Sequence, residues 1–498
     1  MIKTGLFNSV NEKLYKAIEN EDIEKIKSIL ENSNKNKSKL NLNNIKDKYR
    51  SYLLLVAINC NNIEIVKKFL IKNTNQHQII LDLNKKDKYG IYPLLSAVLN
   101  NNIEMVKLLI EYANQHQIIL EVNGKNKDGF YPLLWATYEN SIEMVKLLIE
   151  YANQHQLILE LDEKNSEYKC KPFLVAVSKN STEIVKLLIE YANQHQIIFK
   201  LNEKSSYEWY SFLIAIKNKN VEIIKLLIDY ANHHQMILNL NEIKDKEYWS
   251  IYESDIKIVK LLIEYANQYQ IILKLNKKDK NGNYPLLFAL ENIEIVKLLI
   301  EYANQHQIIL KLNEKDKSGV YLISKVIHYN NTELVKLILE YANQHHIILK
   351  LNEKNKCDDY PLLDAITLNK TEIVKLLLEY VNRNQIILEI NEKNKDGIYP
   401  LLKAVFNNNI EIVQLLIEYA DQHEILLTIN EKNRFENYPL LGAIINNNIK
   451  MVKLLIEYAK QHRMILEYEK RKVGNNPEII KLLKIYDKEK YKRSKVII

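Results

Sequence analysis

Nine histidines, His77, His116, His155, His195, His234, His306, His345, His423 and His462, stand in one slot of a phrase that recurs as N-Q-H-Q or a near variant. A column of imidazoles could hold divalent metal, which neutral ring nitrogens bind well. Spacing argues against it. Zinc holds each ring nitrogen at about 2 Å, whereas stacked helices carrying successive copies lie about 8–10 Å apart. No second ligand type recurs beside the histidines, and the doublets His233–His234 and His345–His346 are isolated. The slot reads as a solvated histidine, or one hydrogen-bonded between repeats, with no metal or cofactor. Cys60, Cys170 and Cys357 are far apart and match no metal spacing, which suits a reducing compartment. The chain has only nine glycines, no phosphate-cradling loop, and no GxSxG, HExxH or CxxC. The expectation is a protein without enzymatic activity, cofactor or small-molecule substrate.

These residues are positioned by repetition. "IEMVKLLIEYANQHQIIL" at residues 103–120 returns as "IEMVKLLIEYANQHQLIL" from Ile142 and "TEIVKLLIEYANQHQIIF" from Thr182. A second phrase, "YPLLxA", is anchored at Pro93, Pro132, Pro172, Pro285, Pro361, Pro400 and Pro439, with degenerate copies at Lys13, Leu53, Ser211, Ser250 and Leu322. Successive anchors are 39 or 40 residues apart, except for steps of 35 and 37 from Ser250 to Pro285 and on to Leu322. The spacing predicts an N-terminal cap over 1–12 and twelve units over 13–470, irregular at about 205–295. A half-unit cap, "NNPEIIKLLKIY", and a basic tail fill 471–498.

Each unit carries two helical signals. Pro93 suits the first turn of a helix, and Leu94, Leu95, Ala97 and Val98 give that helix an apolar face. Ile103, Val106, Leu109, Ile110 and Ala113 then recur at steps of three and four, the mark of an amphipathic helix. Asn102 is placed to cap it and Glu104 puts an acid in its first turn. "NGKNKDGF" makes a polar reversal between units. The tyrosines of "IEYAN" (Tyr112, Tyr151, Tyr191, Tyr302, Tyr341) fall at helical spacing from the leucines, as packed rings with hydroxyls near the surface.

"KDGFYPLLWATYENSIEMVKLLIEYAN" resembles the ankyrin repeat, whose consensus opens D-x-x-G-x-T-P-L-H-x-A and continues E-I-V-K-L-L-L. Asn123, Asn202, Asn276, Asn313, Asn352, Asn391 and Asn430 match the asparagine that ends each family unit. The resemblance covers nearly the whole chain. It implies an all-α, curved solenoid of stacked helix-turn-helix units that binds another protein through a concave face of projecting turns and first helices.

Two departures stand out. Tyrosine replaces the family's threonine (Tyr92, Tyr131, Tyr284) and leucine its histidine (Leu95, Leu134, Leu287), so apolar and aromatic packing is expected in place of polar bonds. The family period is about 33 residues; this one is 39, and the six extra residues lie in "ANQHQIIL". The insertion predicts a second helix lengthened to about His116, then an apolar extension of Ile118, Ile119 and Leu120 packed between units. Each unit can bury its flank only against another copy.

Variation marks the expected binding surface. The second helix is nearly constant, but the slot after "PLL" reads Ser96, Trp135, Val175, Phe288, Asp364, Lys403 and Gly442. Between Tyr207 and Tyr252 the helix-start proline is lost twice, and Trp209 and Trp249 fall in consecutive turns beside Tyr210 and Tyr248. Exposed aromatics on a rigid frame anchor interfaces; filling a gap left by shortened units is the alternative. The partner-binding set expected is Trp209, Trp249, Tyr210, Tyr248, Trp135, Phe288, Asp364 and Lys403.

Net charge is +8 with lysine and glutamate interleaved in every unit, which favours a solvated, ion-paired surface over a nucleic-acid stripe. The abundance of Lys, Asn and Ile reads as codon bias and carries little weight. No run approaches the roughly 18 uncharged apolar residues of a membrane span. "MIKTGLFNSVNEKLYKAIEN" has no apolar signal region. A monomeric cytoplasmic protein is expected, with the nucleus as alternative location. The rival functions are a structural spacer and an electrostatic nucleic-acid binder.

Overall fold

The computed structural model describes residues 2–35, 52–77, 80–161, 171–202, 210–241, 255–279, 281–316, 318–469, 473 and 475–494. These form two compact units, Met1–Leu240 and Asn241–Ile498. Among the described residues there are 24 helices and no sheet, an all-α repeat solenoid.

The first unit starts with helices Ile2–Glu19 and Ile23–Lys35, so the expected cap and the Lys13 anchor share one helix. Repeated pairs follow: Leu53–Asn59 with Ile63–His77, Pro93–Leu99 with Ile103–Gln115, Pro132–Tyr138 with Ile142–Gln154, Pro172–Ser178 with Thr182–Gln194, and Ser211–Lys217 with Val221–His233. The second unit begins its described part at Ile256–Gln268 and continues with Pro285–Ala289 and Ile293–Gln305, Leu322–His328 and Thr332–Gln344, and Pro361–Thr367 and Thr371–Arg383. Pro400–Phe406 and Ile410–Gln422, Pro439–Ile445 and Ile449–Gln461, and a last helix Pro477–Ser494 complete it. Where the sequence runs two residues short before Ile293, the first helix is five residues long instead of seven.

Within each unit first helices stack on first helices and second on second. Tyr92 precedes the first helix with extended backbone, and Pro93 occupies the first turn, where its missing N–H costs nothing. On the second helix Met105, Val106, Leu109, Tyr112 and Ala113 are buried while Lys107 and Glu111 face out. Asn102 caps it by accepting from Met105 N at 2.9 Å. Its amide also donates to Asn61 of the preceding unit at 2.7 Å. Lysines and glutamates of neighbouring second helices pair across the outside, as in Lys107–Glu143 at 3.1 Å and Lys297–Glu333 at 2.9 Å. Such exposed pairs add little stability each.

The six-residue insertion is where the structure departs from expectation. The second helix ends at Gln115, and Gln117 turns the chain at φ 55°, the left-handed conformation usually given to glycine. Ile118 N then donates back to Ala113 O at 2.8 Å, closing the helix end. Beyond it the chain is extended, so side chains alternate between faces. Leu120 is 1% exposed but Ile119 is 50% exposed. The expected packing of Ile119 between units is therefore wrong; Leu120 and Val122 do that work.

The extension's backbone is satisfied by side chains, clearest at residues 157–160. Leu157 N donates to Ala152 O at 2.8 Å. Tyr191 of the next unit accepts from Leu159 N at 3.1 Å and donates to Leu157 O at 3.0 Å. Asn123 of the preceding unit donates to Ile158 O at 2.7 Å and accepts from Glu160 N at 3.1 Å. Tyr131 of the same unit donates to Glu160 O at 2.9 Å. The tyrosine hydroxyls are thus internal bonds instead of surface groups: Tyr191 is 2% exposed and Tyr131 is fully buried. The tyrosine that replaces the family's threonine also makes a polar bond, beyond the apolar packing expected of it. At the end of the second unit Tyr486 of the last helix takes the same role, accepting from Leu466 N at 2.8 Å.

Ile119→Asp is expected to change unfolding free energy by less than about 0.5 kcal/mol, as an exposed substitution does. Leu120→Asp is expected to cost about 3 kcal/mol or more. Tyr191→Phe, which strands one buried donor and one part-buried acceptor, falls between at about 1–3 kcal/mol. Urea unfolding followed by circular dichroism checks all three.

Candidate protein-binding surface

The projecting turns are built from local polar chemistry. In the turn before the Pro132 helix, Asn126 accepts from Asp128 N at 3.0 Å and Phe130 N at 2.8 Å, while Gly129 adopts φ 82°. That left-handed geometry favours glycine. Successive turns are joined by backbone bonds, Lys127 N to Tyr89 O at 2.8 Å in the first unit and Arg434 N to Asp396 O at 3.1 Å in the second.

Phe130, placed by this turn, meets Trp135 edge-on with centroids 5.1 Å apart, and Trp135 meets Tyr138 at 5.5 Å. Phe130 and Trp135 are half-buried; Tyr138 is 45% exposed, with the Lys179 ammonium 4.3 Å from its ring centre. Tyr89, 48% exposed, lies in the preceding turn. The sequence singled out Trp135 but missed Phe130 and Tyr138. Their spacing from Trp135, five residues before and three after, was the available signal.

Phe288 and Lys403 are half-buried at the same slot of their own helices. Tyr210 is 5% exposed and precedes the Ser211 helix as Tyr131 precedes its own, so it offers no projecting ring. Trp209, Tyr248 and Trp249 lie outside the described residues. Part of the slot's variation serves internal packing. Ser96 donates to Asn59 at 2.5 Å, and a side chain at Gly442 would meet the Phe406 ring at 2.7 Å.

Asp364 is also internal, 6% exposed between first helices. Burial pushes its carboxyl up to about 6, against the opposing pull of His328 and a hydrogen bond from Ser324, with Asp359 adding to the rise. His328 Nε2 stands 3.8 Å from Asp364 Oδ1, and Oδ2 has no hydrogen-bond partner.

Among the described side chains, most of the histidine column meets the preceding repeat. His155 Nε2 bonds Asn114 Oδ1 at 3.0 Å, and His195, His234, His306, His345 and His423 repeat the contact at 2.8–3.0 Å. Each of these rings lies 4.2–4.3 Å from the tyrosine one turn earlier. At the last copy a carboxylate stands in place of the amide: His462 Nε2 lies 3.0 Å from Asp421 Oδ1 but makes no hydrogen bond.

Because the folded-state pKa of Asp364 is raised, ionising it disfavours the fold: stability is lost as pH rises from about 4 to about 6 and then levels off. Asp364→Asn is expected to stabilise the protein by about 1–3 kcal/mol at neutral pH. The gain shrinks as the pH is lowered towards 4.5, about where an unfolded aspartate begins to protonate. Thermal or urea unfolding at several pH values measures it.

A family model describing ankyrin repeats in three copies matches residues 14–118, 54–158, 114–199, 173–273, 322–424 and 384–465. These spans cover well over half of the chain. No curated protein sequence matches it. Ankyrin repeats are generally protein–protein interaction modules and typically lack catalytic activity. Among the described residues no helix is long and apolar enough to cross a membrane. With phased helix pairs, an "EIVKLL" core and turn-borne surfaces, the chain belongs to the ankyrin-repeat family.

Proposed function

We propose that this chain is a non-catalytic scaffold that holds a protein partner on its projecting turns and first helices. Phe130, Trp135 and Tyr138 form the anchor among the described residues. The observation that carries this reading is the partly exposed aromatic cluster mounted on a hydrogen-bonded turn and a proline-started helix. Rigid aromatics at a partly desolvated spot supply much of the energy of protein recognition. Phe288 and Lys403 are candidate contacts on the second unit by itself, and Trp209, Trp249 and Tyr248 remain candidates for a second aromatic patch. The paired lysines and glutamates outside the second helices support a protein partner over nucleic acid, which would need lysines gathered and unpaired. The cytoplasm is the proposed location, with the nucleus as the alternative.

Proximity labelling with the intact chain would identify partners, whose affinity is then measured with purified variants. Trp135→Ala with Tyr138→Ala is expected to weaken binding by about 30-fold or more, the cost of at least one anchor, and to leave the melting profile nearly unchanged. Undiminished binding by that variant, together with loss on Trp209→Ala/Trp249→Ala, would move the site to the second patch. Undiminished binding by both variants would contradict the proposal.

A further inference from the structure

The exposed residue of each extension recurs at one slot. In Asn241–Ile498 it is Ile272, Ile309, Ile348, Ile387, Leu426 and Ile465, all 52–59% exposed. Six large aliphatics recur at one-unit pitch as an apolar row. The row is also held in place. Asn241, Asn276, Asn313, Asn352, Asn391 and Asn430 donate to the carbonyls of these six residues at 2.7–2.8 Å. Little ordering entropy is left to lose on binding.

The flanking charges indicate what covers it. Two residues on, on the same face of the extended chain, stand Lys274, Lys311, Lys350, Glu389, Thr428 and Glu467. All but Thr428 are exposed, and among the described residues none of the five charged side chains is ion-paired. The row is basic in its first half and acidic in its second, so its reverse is its own complement. A twofold axis in the interface plane, midway between the Ile348 and Ile387 slots, brings Lys274 to Glu467, Lys311 to Thr428 and Lys350 to Glu389 of the second copy. Symmetry repeats each contact. The other flank, Gln270, Gln307, His346, Gln385, Glu424 and Arg463, meets itself with no like-charged pair. With three outward side chains at each slot, the patch approaches the roughly 20–30 residues a side of a stable interface.

We propose that Asn241–Ile498 docks antiparallel on a second copy of itself along this row, forming a twofold dimer in place of the expected monomer. Met1–Leu240 has a similar row, Ile80, Ile119, Ile158, Ile198 and Ile237, without the same complementarity. Folding it back on itself sets Glu160 against Glu160, and Glu121 and Glu160 already pair with Lys86 and Lys125 inside that unit.

Analytical ultracentrifugation of the full chain at low salt tests the proposal. Wild type is expected to dimerise, and Ile387→Asp, at a half-exposed position, to be monomeric with unchanged circular dichroism. Lys350→Glu and Glu389→Lys should each weaken the dimer by about tenfold or more, because each sets like charges face to face. The double variant Lys350→Glu/Glu389→Lys should restore it. A wild-type protein that stays monomeric at about 100 µM, where even weak standard-sized interfaces form, would overturn the proposal. So would a double variant no tighter than the single ones, or an Ile387→Asp protein that still dimerises.

Discussion

A phenol hydroxyl seated between two backbone groups of the preceding unit is the contact on which the lengthened repeat depends. Stacked helices hold neighbouring units about 8–10 Å apart, while extended chains need about 4.8 Å to pair directly. The extensions after each second helix therefore cannot form a ladder with one another, yet N–H groups such as that of Leu159 are buried and need a partner. Tyr191 bridges that distance, with its ring filling the space and its hydroxyl taking one acceptor and one donor of the chain before it. Burial pushes this phenol above its ordinary range, so it stays protonated and able to donate. The same ring backs His195, whose Nε2 reaches Asn153 of the previous unit. One helix face thus binds its neighbour through apolar, phenolic and imidazole contacts together.

Asparagine does the complementary work at other points of the seam. At the end of the first helix Asn218 donates to Val177 O of the previous unit at 3.0 Å. Two residues later Asn220 caps the second helix and reaches Asn180 at 2.8 Å. At the end of the preceding unit Asn202 clamps the Ile237 carbonyl and the Asn239 N–H. Each amide presents a donor and an acceptor in a fixed plane, which suits a site where adjacent chains offer one of each. Codon bias was a poor reason to set these residues aside: whatever raised their frequency, the positions they occupy are specific.

Much of this was legible in the sequence. The 39-residue phase, the proline that starts the first helix, the Asn102 cap and the end of the second helix near His116 all follow from local rules and recur where expected. The direction of the extension did not. "IIL" holds three apolar residues in a row, and only the longer pattern, Leu120 and Val122 inward with Ile119 outward, shows its period of two. The tyrosine clamp was illegible because its partners are about 30 residues away and belong to the backbone, which leaves no residue-type signature. The variable slot misled in part for a related reason. Gly442 is small because Phe406 fills its space, and Asp364 answers to His328 and Ser324, so diversity there reports neighbours as well as partners.

These contacts divide the protein's surfaces by task. The constant second helices and extensions carry stacking, and their outermost row is uniform in shape with charge that changes sign along it. The turns and first helices carry the variation, including the aromatic cluster around Trp135. The division holds only if the extensions are rigid, and residue-resolved amide hydrogen exchange of the native chain measures that directly. The N–H groups of Leu120, Leu159, Leu310, Leu349, Leu388 and Leu427, each bonded to a tyrosine hydroxyl of the next unit, are expected to exchange as slowly as the interior amides of the second helices. Exchange of these six at the rate of exposed turn amides such as Asp128 would contradict that rigidity.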